Sequence, residues 1–259
     1  MKLLGFKAGN KQKIGFLNAE KIIEIDTSMI AALKVSIDEI EILGDYDLKD
    51  VEISVPVSPS KIVCVGLNYT DHANELNMEL PEEPIIFIKP PTSVIGHLDT
   101  IIYPDSSKQV DYEAELGIVI SQEDHHVKSE EASEFIGGYL IINDVTARDK
   151  QRQDIQWTRA KSFDTFAPIG PFIETDMDPM KQNISLRLNN KLKQDSNTKN
   201  MIFDVYELVE FISNVMSLKP GDIIATGTPP GVGPMKIGDL VETKIDGIGV
   251  LTNFVKAQN

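Results

Sequence analysis

Between residues 110 and 120 polar and apolar positions alternate: Asp111, Glu113 and Glu115 on one side, Tyr112, Ala114, Leu116, Ile118 and Ile120 on the other. A period of two is the signature of a β-strand. Further strand-like runs lie at 85–89, 138–143, 184–194, 222–226 and 240–254, and "IVCVG" reads as a buried strand near residue 62. Helical spacing is sparser, at 70–76, 129–136 and 204–215, with a partly helical stretch in "TSMIAALKVSIDEIEIL". In "LRLNNKLKQ" the pair Asn189–Asn190 predicts a hairpin turn, because asparagine tolerates left-handed backbone angles. Strands and helices do not alternate regularly, which disfavours a doubly wound sheet. A β-rich α+β fold is expected.

The first 25 or so residues read as a meander of short strands. The stretch "VPVSPSK" then places two prolines and two serines ahead of the buried strand. Such residues punctuate structure, so a small N-terminal domain is expected over 1–57 and a larger one over 58–259. Forty acidic residues against 25 basic ones give a formal charge of −15. That surface repels phosphate backbones and anionic lipid, so neither nucleic acid nor membrane is an expected partner. A lone cysteine, Cys64, rules out an intrachain disulfide and fits a reducing compartment. The apolar run at the start is too short for a signal peptide, and none reaches the roughly 18 residues of a membrane helix. A cytoplasmic location is expected.

Three like charges on one strand face need either water or a cation beside them. Gly117 continues that face, as though something needed room there, and Asp144 ends a different apolar strand, "GGYLIIND". Asp144 serves equally well as the start of a following helix. Acids gathered from two strands would make an oxygen-rich site suited to Mg²⁺ or Mn²⁺. His72 and Glu75 lie three apart in the 70–76 helix, where a carboxylate can orient an imidazole; a surface pair is the plainer alternative. Lys161 stands outside any charge run, in "RAKSFDTFAPIGP". Three carboxylates and one divalent cation leave one negative charge, which Lys161 would neutralise while stabilising an enolate; a solvated lysine is the alternative. The loop "GDIIATGTPPGVG" lacks the Lys-Ser/Thr of a phosphate loop, and its prolines remove backbone donors. It either presents Thr226 and Thr228 to a small carboxylate or is a structural turn. Cys64 and Trp157 read as packing residues, and His125–His126 as surface.

Taken in order, "GLNYTDHANE", "FIKPPTSVIG", "VDYEAELGIVI", "GGYLIINDVTARDKQ", "QWTRAKSFDTFAPIGP", "LVEFISNVMSLKPGDIIATGTPPGVGP" and "GIGVLTNFV" resemble the fumarylacetoacetate hydrolase family. The resemblance runs from about residue 62 to 255. It implies a mixed, rolled β-sheet or β-sandwich fold, a small variable N-terminal β domain and a homodimer. It also implies that Glu113, Glu115 and Asp144 ligate Mg²⁺ or Mn²⁺, with Asp111 part of the motif but not a ligand. His72 and Glu75 match a water-activating pair on a mobile lid, and Lys161 a lysine facing the reacting carbonyl. Gln151 and Thr226 match positions that contact substrate oxygens, and Arg148 supports the metal loop. Leu67 departs from the arginine of several acylpyruvase-like members, His97 from a common proline, and Asn190 from the usual turn glycine. The implied activity is metal-dependent C–C hydrolysis of an acylpyruvate-like 1,3-dicarbonyl or 2-oxo acid. Oxaloacetate-type decarboxylation and keto–enol isomerisation of 2-oxo or 2-hydroxy-diene dicarboxylic acids would use the same residues. A non-catalytic, metal-stabilised domain that binds small acids is the reading outside enzymology.

Overall fold

The computed structural model describes residues 1–76 and 79–258. Among these residues the β-rich α+β expectation holds: a twelve-stranded mixed sheet, a five-stranded sheet and a three-stranded one, with few helices. The large sheet starts at the N-terminal meander, with Ile42–Asp47, Lys21–Ile25, Lys11–Asn18 and Lys2–Ala8 side by side. It continues through Ala167–Glu174, Ile136–Asn143, Ala114–Ile120, Ile223–Ala225, Ile62–Val65 and Ile86–Lys89. The meander joins by a short pairing, Lys2 opposite Glu174 and Leu3 opposite Ile173. Leu4, Phe6 and Ile22 close a small core there with Phe172.

The alternating strand sits inside this sheet, and water is not what screens its acids. Every residue from Val110 to Ile120 is buried. Leu116, Ile118 and Ile120 enter one core with Leu208 and Ile212; Val119 enters a second with Leu140, Ile142 and Ile223. The continuous strand expected over 110–120 is in fact two, Val110–Tyr112 in the small sheet and Ala114–Ile120 in the large one. Glu113 is the crossover residue. Where the ladder breaks, its amide donates to Asn143 Oδ1 at 2.9 Å, and the Ala114 amide to Gln194 Oε1 at 2.9 Å. Both buried backbone donors are thereby satisfied. Gly117 makes room for packing rather than for a ligand. A Cβ there would come within 2.6 Å of Leu140 Cδ1.

Two other expectations are corrected. Over 129–136 only a 3₁₀ turn forms, Ala132–Glu134, because Ile136 is recruited into the ladder opposite Ile120. The stretch 27–43 is helical in part, as expected, with one helical turn, Met29–Ala32, and a 3₁₀ turn before Ile42 pairs with Ile25. The run at 240–254 is a hairpin of two strands, Leu240–Ile245 and Gly249–Ala257. By contrast, the helix Val205–Val215 opens on a full capping box between Asp204 and Glu207. The Asn189–Asn190 turn forms with φ of 52° and 64°.

Ile223–Ala225 and Ile62–Val65 lie parallel, and buried Asp222 fixes their register. Its carboxylate accepts from the amides of Ser60, Lys61 and Lys219, from the Ser60 hydroxyl and from Lys61 Nζ. Asp222→Ala strands those donors and is expected to cost about 3 kcal/mol in denaturant unfolding. A loss below about 1 kcal/mol would contradict this role. Burial alone would raise the Asp222 pKa, but Lys61, Ser60 and Lys219 together hold it below the ordinary carboxylate value. Its folded pKa therefore lies below the unfolded one, so the stabilisation is complete above about pH 4 and fades as acid protonates the folded state.

Candidate metal centre and cavity

The sheet register brings the acids together. Asp144 follows the strand Ile136–Asn143, and its amide donates to the Glu113 carbonyl at 2.9 Å. One carboxylate oxygen each from Glu113, Glu115 and Asp144 lies within 4.8 Å of the others, and all three residues are buried.

Around them stands a cationic shell. Lys161 Nζ donates to Asp144 Oδ2 at 2.6 Å and to Glu113 Oε2 at 2.9 Å. Arg148 donates to Asp111 Oδ2 at 2.9 Å, to Gln151 Oε1 at 2.6 Å and to Glu113 Oε1. Asp111 thus holds Arg148, and Arg148 braces Glu113. Sequence reasoning assigned no role to Lys89, yet it is fully buried and donates to Asp144 Oδ1 at 2.5 Å and to the Val145 carbonyl at 3.0 Å. The available signal was a lysine ending the apolar run "IIFIK". Thr146, also unassigned, donates its hydroxyl to Glu113 Oε1 at 3.2 Å.

The charges do not balance. Arg148 and Asp111 offset each other, and two lysines face three carboxylates. Burial favours a neutral Glu113, but Lys161 and Arg148 override it and pull the pKa down to about 2. Burial likewise disfavours a charged Lys161, yet Asp144 and Glu113 raise its pKa. Glu115 is pushed well up, by burial first and then by Asp144 and Glu113. Among the described residues it makes no ion pair and accepts one amide, Gly227 N–H at 2.9 Å. Three buried polar atoms, Tyr69 Oη, Asn143 Nδ2 and Ser162 Oγ, have no protein partner among the described residues. Three hard oxygens, one of them uncompensated, fit a divalent cation.

Gly227 is dictated by this arrangement. Its φ is +91°, and a Cβ would approach Asn68 Cβ to 2.8 Å. Gly227→Ala is expected to cost about 2 kcal/mol or more and to weaken metal binding by moving the Glu115 amide contact. Differential scanning calorimetry with and without Mn²⁺ checks both parts, and an unchanged midpoint would contradict them.

Above the carboxylates lies a cavity of about 300 Å³. Glu113, Arg148, Gln151, Lys161 and His72 supply its polar side; Leu67, Ile85, Phe87 and Trp157 form an apolar wall. Trp157 therefore borders the site, against the expectation that it only packs. The helix Thr70–Leu76 carries His72, whose Nδ1 bonds Glu75 Oε2 at 2.9 Å. Glu75 accepts in turn from the Gly231 amide at 3.2 Å. Asn68, at the head of that helix, donates to the Thr226 carbonyl at 2.7 Å and accepts from the Phe203 amide at 2.8 Å. The helix is thereby tied to the glycine-rich loop at both ends.

Gln151 sits at the cavity, with its Oε1 taken by Arg148 and its Nε2 left as the donor end. Thr226 is placed behind the wall: it is buried, and its hydroxyl donates to the Leu116 carbonyl at 2.9 Å. Thr228 borders the cavity instead, its hydroxyl donating to the Ala114 carbonyl at 2.9 Å. Cys64 is fully buried in the apolar core, with its thiol pKa pushed up by burial.

Residues 61–256 match the family described as fumarylacetoacetate (FAA) hydrolase C-terminal. The chain is 42% identical over 217 residues to the oxaloacetate tautomerase Fahd2a, mitochondrial, of Rattus norvegicus, spanning 79% of this chain and 69% of that protein. Its fold superposes on a 2-hydroxyhepta-2,4-diene-1,7-dioate isomerase from Mycobacterium marinum with a TM-score of 0.91. Identity there is 39%, over 100% of this chain and 99% of that one. A maleylpyruvate hydrolase from Sphingobium sp. SYK-6, in complex with manganese(II) and pyruvate, gives a TM-score of 0.83 at 28% identity, over 100% of both chains.

Proposed function

The chain belongs to the fumarylacetoacetate hydrolase family, and from that premise we propose that it is a divalent-metal enzyme for keto–enol conversion of a small 2-oxo acid of the oxaloacetate type. The observation that carries this reading is one cavity bordered by Glu113, a carboxylate of the candidate metal centre, by Lys161 and by His72, whose ring bonds Glu75. Glu113, Glu115 and Asp144 would hold Mg²⁺ or Mn²⁺, which when bound supplies Lewis-acid polarisation of the 2-oxo group. Lys161 places a second positive charge where the enolate oxygen develops. His72 carries one proton between the enol oxygen and the carbon beside the carbonyl, removing it from one and delivering it to the other, with Glu75 on Nδ1 leaving Nε2 as the nitrogen that carries it. Gln151 offers its Nε2 to a substrate oxygen. Thr226 contributes through its backbone link to Asn68, which sets the position of the His72 helix. The reading carries with it a homodimer in the cytoplasm, with residues 1–57 as an accessory domain.

C–C hydrolysis, ranked first on sequence alone, becomes the second reading. It is favoured by the same His72–Glu75 pair, which can activate a water, and by the likeness to the maleylpyruvate hydrolase. The tautomerase and isomerase likenesses stand at higher identity. A purely structural cation would need neither a histidine–glutamate pair nor Lys161 beside it. Mn²⁺-loaded protein is therefore expected to speed the enol-to-keto conversion of oxaloacetate well beyond the free metal. Cleavage of an acylpyruvate to a carboxylic acid and pyruvate, without tautomerase activity, would move the assignment to hydrolysis. Neither reaction would leave the non-catalytic reading.

A further inference from the structure

The cavity over the carboxylates has a neighbour. A groove of about 770 Å³ shares Ile85, Phe87 and Trp157 with it, so these side chains are the partition between the two spaces. Phe87 and Trp157 meet edge to face, with ring centroids 5.3 Å apart and planes at 73°. Trp157 seats against the bare backbone of Gly66, where an added Cβ would reach Trp157 Cζ3 at 3.4 Å. Phe87 is tied to the reacting end, since Lys161 Nζ lies 4.9 Å from its ring centroid. Beyond the partition the groove is mainly apolar, with Ile88, Ile155 and Met216 on its walls beside Gln156, Thr158 and Ser162. Ile155 is fully exposed, and Ile88 is 42% exposed.

The geometry points to Trp157, backed by Phe87, as the residue that limits substrate length, and to the groove as a space fit for the apolar tail of a longer 2-oxo acid once the indole is removed. This rests on the proposed reading of the carboxylate site as a 2-oxo acid site. On the carboxylate side the cavity holds the polar groups that fix a short oxo acid, while the opposite wall of Leu67, Ile85, Phe87 and Trp157 is mainly apolar. A tail reaching past Trp157 would leave water for a mainly apolar channel, and each methylene buried there strengthens binding about fourfold.

The test uses oxamate and N-hexyloxamate, inert mimics of a 2-oxo acid enolate, titrated calorimetrically into Mn²⁺-loaded protein. In the unaltered protein the hexyl compound is expected to bind at least tenfold more weakly than oxamate, because the indole blocks its path. In Trp157→Ala the ratio of hexyloxamate to oxamate affinity is expected to rise about 10²-fold, and in Trp157→Leu by less. Using the ratio within each variant removes any general damage to the site. Adding Ile88→Glu to Trp157→Ala should take the gain back below tenfold, because it puts a charge in the groove outside the catalytic cavity. A ratio that stays constant in both Trp157 variants overturns the inference, as does a gain that survives Ile88→Glu. If oxamate itself fails to bind the unaltered, Mn²⁺-loaded protein, the 2-oxo acid reading falls and the inference falls with it. A constant ratio with normal oxamate binding sinks the length limit alone.

Discussion

His72→Ala is expected to lower turnover of a 2-oxo acid about 10²- to 10⁴-fold while leaving Mn²⁺ affinity in place, because a positioned general base contributes on that scale. The two effects separate because His72 touches none of the three carboxylates, and its ring bonds Glu75 on the same helix. Glu75→Gln should fall between the variant and the parent, since an amide can still hold the ring but no longer supports a positive charge on it. Steady-state kinetics beside metal titration checks this. Full turnover in His72→Ala would remove the histidine from the mechanism and leave the metal and Lys161 to act alone.

The second large effect concerns Glu115. Glu115→Gln is expected to weaken Mn²⁺ binding by about 10²-fold or more, since even outer partners of a metal site are worth 10- to 100-fold. The same change should leave metal-free stability unchanged or raised. Glu115 is a buried carboxylate without an ion-pair partner among the described residues, and glutamine keeps an oxygen for the Gly227 amide. Asp144→Asn behaves differently. Asp144 pairs with both Lys89 and Lys161, so neutralising it leaves two buried ammonium groups short of a partner and should cost stability with or without metal. Calorimetric titration with thermal unfolding distinguishes the two acids. Equal stability losses would mean that both carboxylates serve the fold alone.

Much of the site was legible in the sequence because its physics is local. The period of two at 110–120 marked a strand, His72 and Glu75 fell on one helix face at three-residue spacing, and Asn189–Asn190 announced a left-handed turn. What escaped depends on partners far along the chain. The change of sheet at Glu113 leaves the alternation intact, so nothing in the pattern shows that the ladder stops there. Gly117 looked like room for a ligand because Leu140, the residue that fills the space, lies on another strand. Lys89 reads like any lysine that ends an apolar run until Asp144 is brought against it across 55 residues. Trp157 and Phe87 are 70 positions apart in sequence and meet only through the fold. Thr226 and Thr228 share one loop, and only the ladder decides which of them reaches the cavity.

All of the proposed chemistry depends on one divalent ion among Glu113, Glu115 and Asp144. Crystals grown with Mn²⁺ and measured at the manganese absorption edge test that directly. An anomalous peak equidistant from the three carboxylates, at about 2.1 Å as expected for hard oxygen ligands, is the outcome this account requires. No peak there at saturating manganese, with Lys89 and Lys161 still closed on the acids, would contradict it.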